Sequence, residues 1–105
     1  MGSYEKEESI RSPIFDGRNF VQWKIRTTTY LQSLGTNVCR IVEGGYTYPS
    51  AIPTDTADRK QYELNAKVVT VLFGSLSQSE FMKVMHFKSA KEIWDKIILS
   101  YEGHS

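Results

Sequence analysis

Few residues in this 105-residue chain have the types and spacing that chemistry requires. Asp55-Thr56-Ala57 has the outline of the Asp-Thr-Gly loop in which two carboxylates share one proton to hydrolyse peptides. That chemistry needs an apolar strand-turn setting. The stretch IPTDTADRK is polar, with Asp58, Arg59 and Lys60 close behind, so Asp55 reads as a helix cap. Cys39 is the single cysteine, which excludes an internal disulfide, and no oriented base in the sequence marks it as a nucleophile. It reads as a small side chain at the core or its edge. His86 and His104 add too few soft ligands for a structural zinc site, and each falls near the end of an expected helix. Gly44-Gly45 lacks the surroundings of a phosphate loop and reads as a helix stop. Arg18, Lys24 and Arg26 lie among aromatics, a combination that can assist RNA contact but more simply forms a solvated face. The sequence therefore offers no catalytic residue, no metal ligand set and no cofactor or small-molecule site.

The elements that would position any site are helical. Pro13 biases Ser12 toward extended backbone and closes a polar lead-in over residues 1–12, of which the first three read as a cloning remnant. Asp16-Gly17 is a turn signal. Asn19 followed by Gln22 has the form of a capping box, so a helix is expected from Phe20. Its apolar face carries Phe20, Trp23, Thr27, Tyr30, Leu31 and Leu34, and Gly35 ends it. Asn37 is expected to cap a short helix with Val38, Ile41 and Val42, stopped by Gly44-Gly45. The prolines and tyrosines between Gly44 and Thr54 predict an ordered irregular loop pinned by Tyr46 and Tyr48.

A long third helix is expected from Thr56 or Ala57 to Ser75. One stripe holds Tyr62, Ala66, Val69, Phe73 and Leu76, and an opposed one holds Leu64, Val68 and Val71, so this helix is read as the central one. Ser77-Gln78-Ser79-Glu80 and Ser89-Ala90-Lys91-Glu92 both fit S-x-x-E and should each open a helix. The first runs through about His86. The second carries Ala90, Ile93, Trp94, Ile97 and Tyr101 before Gly103, leaving residues 104–105 as a truncated tail. The expected core is Phe20, Trp23, Tyr30, Leu34, Tyr62, Val69, Phe73, Leu76, Trp94, Ile97 and Tyr101. Val21, Ile25, Thr28 and Gln32 form a displaced stripe on the first helix, more apolar surface than one core contact uses. Either a neighbouring helix covers it or it is a contact between subunits.

The elements above make an all-α bundle of about five helices over residues 13–103, and the length with 40% apolar and 24% charged residues fits one globular domain. Thirteen Lys and Arg against twelve Asp and Glu give a formal charge of +1, too little for polyanion binding by counterion release. Any RNA binding by the chain itself should be weak and unselective. No apolar run reaches the roughly 20 residues that span a bilayer, and the acidic start is unlike a signal peptide, so a cytoplasmic setting without membrane contact is expected.

The block FDGRNFVQWKIRTTTYL, residues 15–31, resembles the F-D-G-x-N-[YF]-x-x-W-[KR] block that opens the Gag polyprotein of copia-type LTR retrotransposons, especially those of plants. Downstream, Val42 to Gly45 with Pro49 is similar to a V-x-x-G…P segment. SAKEIWDKIILSYEG is similar to an A-x-E-x-W-D-x-L-x-x-x-Y-E block. Ala66 to Leu76 matches the family's middle helix, with its terminal Ser-Leu pair. Thr27-Thr28-Thr29 departs from it, standing where a better helix former is usual. The resemblance spans residues 13–103. It implies the N-terminal part of a helical capsid protein that assembles with copies of itself into a virus-like particle around element RNA, the RNA being held mainly by regions beyond this chain. A second implied possibility is a host-retained derivative that binds a peptide or partner protein in a groove between helices.

Overall fold

The computed structural model describes residues 14–44 and 46–102. The expected lead-in, the Pro13 boundary, Gly45, the Gly103 stop and the tail with His104 lie outside the described residues. The rest is all-helical, with five helices: α1 Phe20–Ser33, α2 Thr36–Glu43, α3 Thr56–Gly74, α4 Gln78–Val84 and α5 Ala90–Glu102. Helix α3 packs against α2 and α5; α2 also meets α1 and α5, and α4 lies on α5. Among the described residues the one strand-like feature is an isolated parallel bridge between Phe15 and Leu76.

Local chemistry explains most of the boundaries. Asp55 caps α3, its Oδ2 accepting from the amides of Ala57 at 3.1 Å and Asp58 at 3.2 Å. Ser89 Oγ accepts the Glu92 amide at 3.2 Å as expected of the second S-x-x-E, but the Glu92 carboxylate accepts from the Ser89 hydroxyl at 3.0 Å in place of the Ser89 amide. At the first, Ser77 Oγ accepts the Glu80 amide, but the Ser77 amide donates to Phe15 O at 2.8 Å and leaves the Glu80 carboxylate free for other partners.

Three boundaries differ from expectation. Asn19 precedes α1 in the left-handed region, φ 55°, and its side chain makes no capping bond; its carbonyl starts the ladder by accepting the Trp23 amide. Gly35, at φ 132°, replaces Asn37 at the start of α2 because the chain must turn sharply there through a conformation that favours glycine. Helix α4 ends at Val84, leaving His86 in the following turn.

The core is built on Phe15, Phe20, Trp23, Leu31, Val38, Ile41, Val42, Val68, Leu72, Leu76, Val84, Ala90, Ile93 and Ile97. Of the expected core, Phe20, Trp23, Leu76 and Ile97 are buried, and Tyr30, Tyr62, Val69, Phe73, Trp94 and Tyr101 are half-buried. Leu34 is not core. It follows the end of α1 at the corner into α2 and is 42% exposed, because the chain turns at Gly35 before a neighbour can cover it. On α3 the deepest row is Asn65, Val68 and Leu72, between the two expected stripes, which flank it with half-buried Leu64 and Val71 on one side and Val69 and Phe73 on the other. The irregular loop is pinned as expected. The Tyr48 hydroxyl lies 3.3 Å from that of Tyr62, and Lys88 Nζ sits 5.6 Å over the Tyr48 ring.

Asn65 is the polar centre of this core. Its Oδ1 accepts the Ala90 amide at 2.8 Å and its Nδ2 donates to Lys88 O at 2.9 Å, which fixes the entry of α5 against the middle of α3. Removing the amide orphans a buried N–H and a carbonyl, each worth about 1–3 kcal/mol. Asn65→Leu, which keeps the branching and the number of side-chain heavy atoms but loses both hydrogen bonds, is therefore expected to destabilise by at least about 2 kcal/mol in urea unfolding. A variant within about 0.5 kcal/mol of the native chain would show that α5 does not depend on this bond pair.

Candidate assembly surface and the aromatic junction behind it

The two blocks that carry the family resemblance are joined in space. Phe15 enters the α3–α4 corner by donating its amide to Ser75 O at 2.7 Å and accepting the Ser77 amide at 2.8 Å. Its ring is fully buried, stacked on Trp23 at 4.9 Å and edge-on to Phe20 at 5.8 Å and Tyr101 at 5.0 Å. Phe20 stacks on Tyr101 at 5.5 Å and Trp23 meets Trp94 at 5.6 Å. Lys24 Nζ closes the edge on Glu102 at 2.7 Å. Every contact in this cluster beyond the first block reaches either the α3–α4 corner or α5.

A buried carboxylate completes the junction. Glu80, 5% exposed, accepts from the Tyr101 hydroxyl at 2.6 Å and from Lys83 Nζ at 3.0 Å, and Lys83 also donates to the Tyr101 oxygen at 3.2 Å. Gly17 sits directly above, at φ 97°. A Cβ there would stand 3.3 Å from Glu80 Oε2 and 3.5 Å from the Tyr101 hydroxyl, so the Gly of F-D-G meets both a backbone and a space requirement. Asp16 accepts the Arg18 amide and pairs with the Arg18 guanidinium at 2.8 Å, a surface contact that holds the Asp16 carboxyl below its ordinary range through those hydrogen bonds. Each conspicuous residue of the first block thus has a packing or backbone role.

The displaced stripe of α1 faces the other way. Val21 is 64% and Ile25 60% exposed, and Gln32 is exposed. Thr28 is half-buried, on the rim of a small cleft with Leu31, Cys39, Val42, Glu43 and Trp94 that has room for about one water molecule, about 20 Å³. No helix among the described residues covers Val21 or Ile25. Arg18 and Lys24 of the basic cluster are held by Asp16 and Glu102, and Arg26 has no ion pair among the described residues. No group of three or more His, Cys, Asp or Glu among the described residues is placed to hold a metal ion. No helix among them is long and apolar enough to cross a membrane.

Phe15, Asn65 and Glu80 are the influential residues that sequence reasoning missed. Phe15 stands alone outside any periodic run, Asn65 is polar within a helix, and Glu80 matched a capping pattern whose carboxylate is used elsewhere.

Burial, and then the bond to Glu80, raise Tyr101 above its ordinary value, and the bond to Glu80 raises Lys83. A raised folded value means stabilisation that is full below the unfolded value, about 10 for tyrosine, and lost as pH rises through the folded value. Tyr101→Phe leaves the buried carboxylate with one partner and should cost about 1–3 kcal/mol at pH 8. The gap to the native chain should narrow in denaturant melts above pH of about 10. A gap that widens with alkali would contradict the junction's hydrogen-bond assignment.

Compared with known proteins, the chain matches no family model, no curated protein and no solved structure.

Proposed function

We propose that this chain is a structural Gag capsid domain of a copia-type retrotransposon, which associates with copies of itself into a particle enclosing element RNA. The observation that carries the reading is the outer face of α1, where Val21 and Ile25 lie opposite the core with no covering helix among the described residues. Val21 and Ile25 are neighbours along one helix face, a small contiguous apolar surface of the kind that a protein contact would cover. The blocks that resemble the family are consistent with a folding role, since they meet in one junction and leave that face free. On this reading the domain is not an enzyme and needs no cofactor. Its RNA contact is weak and unselective, because a net charge of +1 and ion-paired Arg18 and Lys24 leave little field for phosphate. A peptide-binding role would need a groove other than the cleft at Thr28 and Trp94, which has room for about one water molecule.

Ile25→Asp separates folding from assembly. In the complete open reading frame it should abolish particles in electron micrographs, while the 105-residue chain keeps its helical circular dichroism and cooperative melting. Unfolding of the variant would place Ile25 in the core, and normal particles would remove this face from assembly.

A further inference from the structure

Resting on the reading that the chain self-associates, we infer that α1 pairs with α1 of a second copy, in parallel, about a two-fold axis that runs along the helix. The spacing of the stripe is the first observation. Val21, Ile25, Thr28 and Gln32 follow one another at four, three and four residues, the alternation of positions that form a coiled-coil seam. The buried row Phe20, Trp23, Thr27 and Leu31 holds another side of the same helix, so the seam and the core do not compete for the same side chains.

Charge is the second observation. A two-fold contact brings a surface against itself, so any charge within it meets its own copy. Val21, Gln22, Ile25, Thr28, Thr29 and Gln32 are all uncharged, and the one carboxylate beside them, Glu43 of α2, lies at the edge across the cleft from Thr28. Lys24, at one edge, is occupied by Glu102. Arg26 points about 130° away from the centre of the seam, by the helix period.

Direction follows from pairing the side chains. An antiparallel seam sets Ile25 against Thr28 and Val21 against Gln32, which buries an amide beside an apolar group with nothing to accept its hydrogens. The parallel seam sets Val21 on Val21, Ile25 on Ile25, Thr28 on Thr28 and Gln32 on Gln32, so that hydroxyls and amides pair with their own kind. Ile25 takes the position at which a β-branched residue suits two parallel strands, while β-branched Val21 and Thr28 stand where Leu packs best, which keeps the contact weak. The face is about 18 Å long and roughly 10 Å wide, about 200 Å² in each copy. A stable dimer buries about 800 Å² per partner. The contact is therefore weak alone and suited to an assembly in which many copies add their effects.

Cysteine cross-linking tests the pairing directly. Val21→Cys and Gln32→Cys are each made with Cys39→Ser, and Lys60→Cys with Cys39→Ser reports random collision from an exposed site on α3. Circular dichroism checks that each variant folds. At about 1 mM chain under glutathione disulfide, parallel pairing brings each new cysteine within the roughly 4.4–6.8 Å Cα separation of a disulfide. Both variants should then give disulfide-linked dimers at least about ten times faster than the control. In an antiparallel pair residue 21 lies about 16 Å along the axis from its mate, and only a mixture of the two variants would link, which would overturn the inference. Sedimentation of the native chain at the same concentration separates the remaining outcomes. Self-association without stripe cross-links would sink the α1 pairing and leave the capsid reading standing. No self-association by the native chain would count against both.

Discussion

The fold depends on one constraint: a segment before the first helix must be held against the end of the last. Phe15 does this through two backbone hydrogen bonds to the α3–α4 corner and a ring buried among Phe20, Trp23 and Tyr101. Around that ring the Glu80 carboxylate is enclosed beneath Gly17 and satisfied by Tyr101 and Lys83. A buried carboxylate is costly unless its partners stay in place, so the junction has little tolerance for an α5 that frays or an F-D-G turn that opens. Asn65 repeats the principle at the other end of α5, fixing Ala90 and Lys88 from the middle of α3. Helix α5 is thus fastened at both ends by polar groups that the core encloses.

Much of this was legible in the sequence, for local reasons. Asp55, Ser77 and Ser89 cap helices through bonds to amides two or three residues away, and such bonds need no knowledge of the rest of the chain. The long apolar rows of α1 and α5 were also readable. What could not be read depends on partners far along the chain. Phe15 pairs with Leu76, Asn65 with Ala90, and Glu80 with Tyr101. Polar Asn65 interrupted the row of Val68 and Leu72, so sequence periodicity assigned the flanks of α3 in place of its centre. Leu34 kept the helical phase of α1 but lies past its end, where phase no longer decides burial.

The stripe on α1 shows where pattern stops and geometry begins. Its apolar content was visible from the chain, but whether a sister helix lay over it was not. The packing of α2, and of Trp94 and Tyr101 from α5, against another side of α1 leaves Val21 and Ile25 facing solvent. The consequence is a division within a single helix. The side bearing Phe20 and Trp23 is packed into the core, and the side bearing Val21 and Ile25 faces solvent, where the proposed assembly would use it. Substitutions on the two sides should therefore separate folding from assembly.

A double-mutant cycle on Trp23→Leu and Trp94→Leu addresses the junction most directly, since each tryptophan belongs to a different block and their rings lie 5.6 Å apart. Chemical unfolding of the four proteins should give a coupling of about 0.5–1.5 kcal/mol, the range of a direct aromatic pair. Strict additivity of the two losses would show that the blocks are stabilised separately and would contradict a fold organised around their contact.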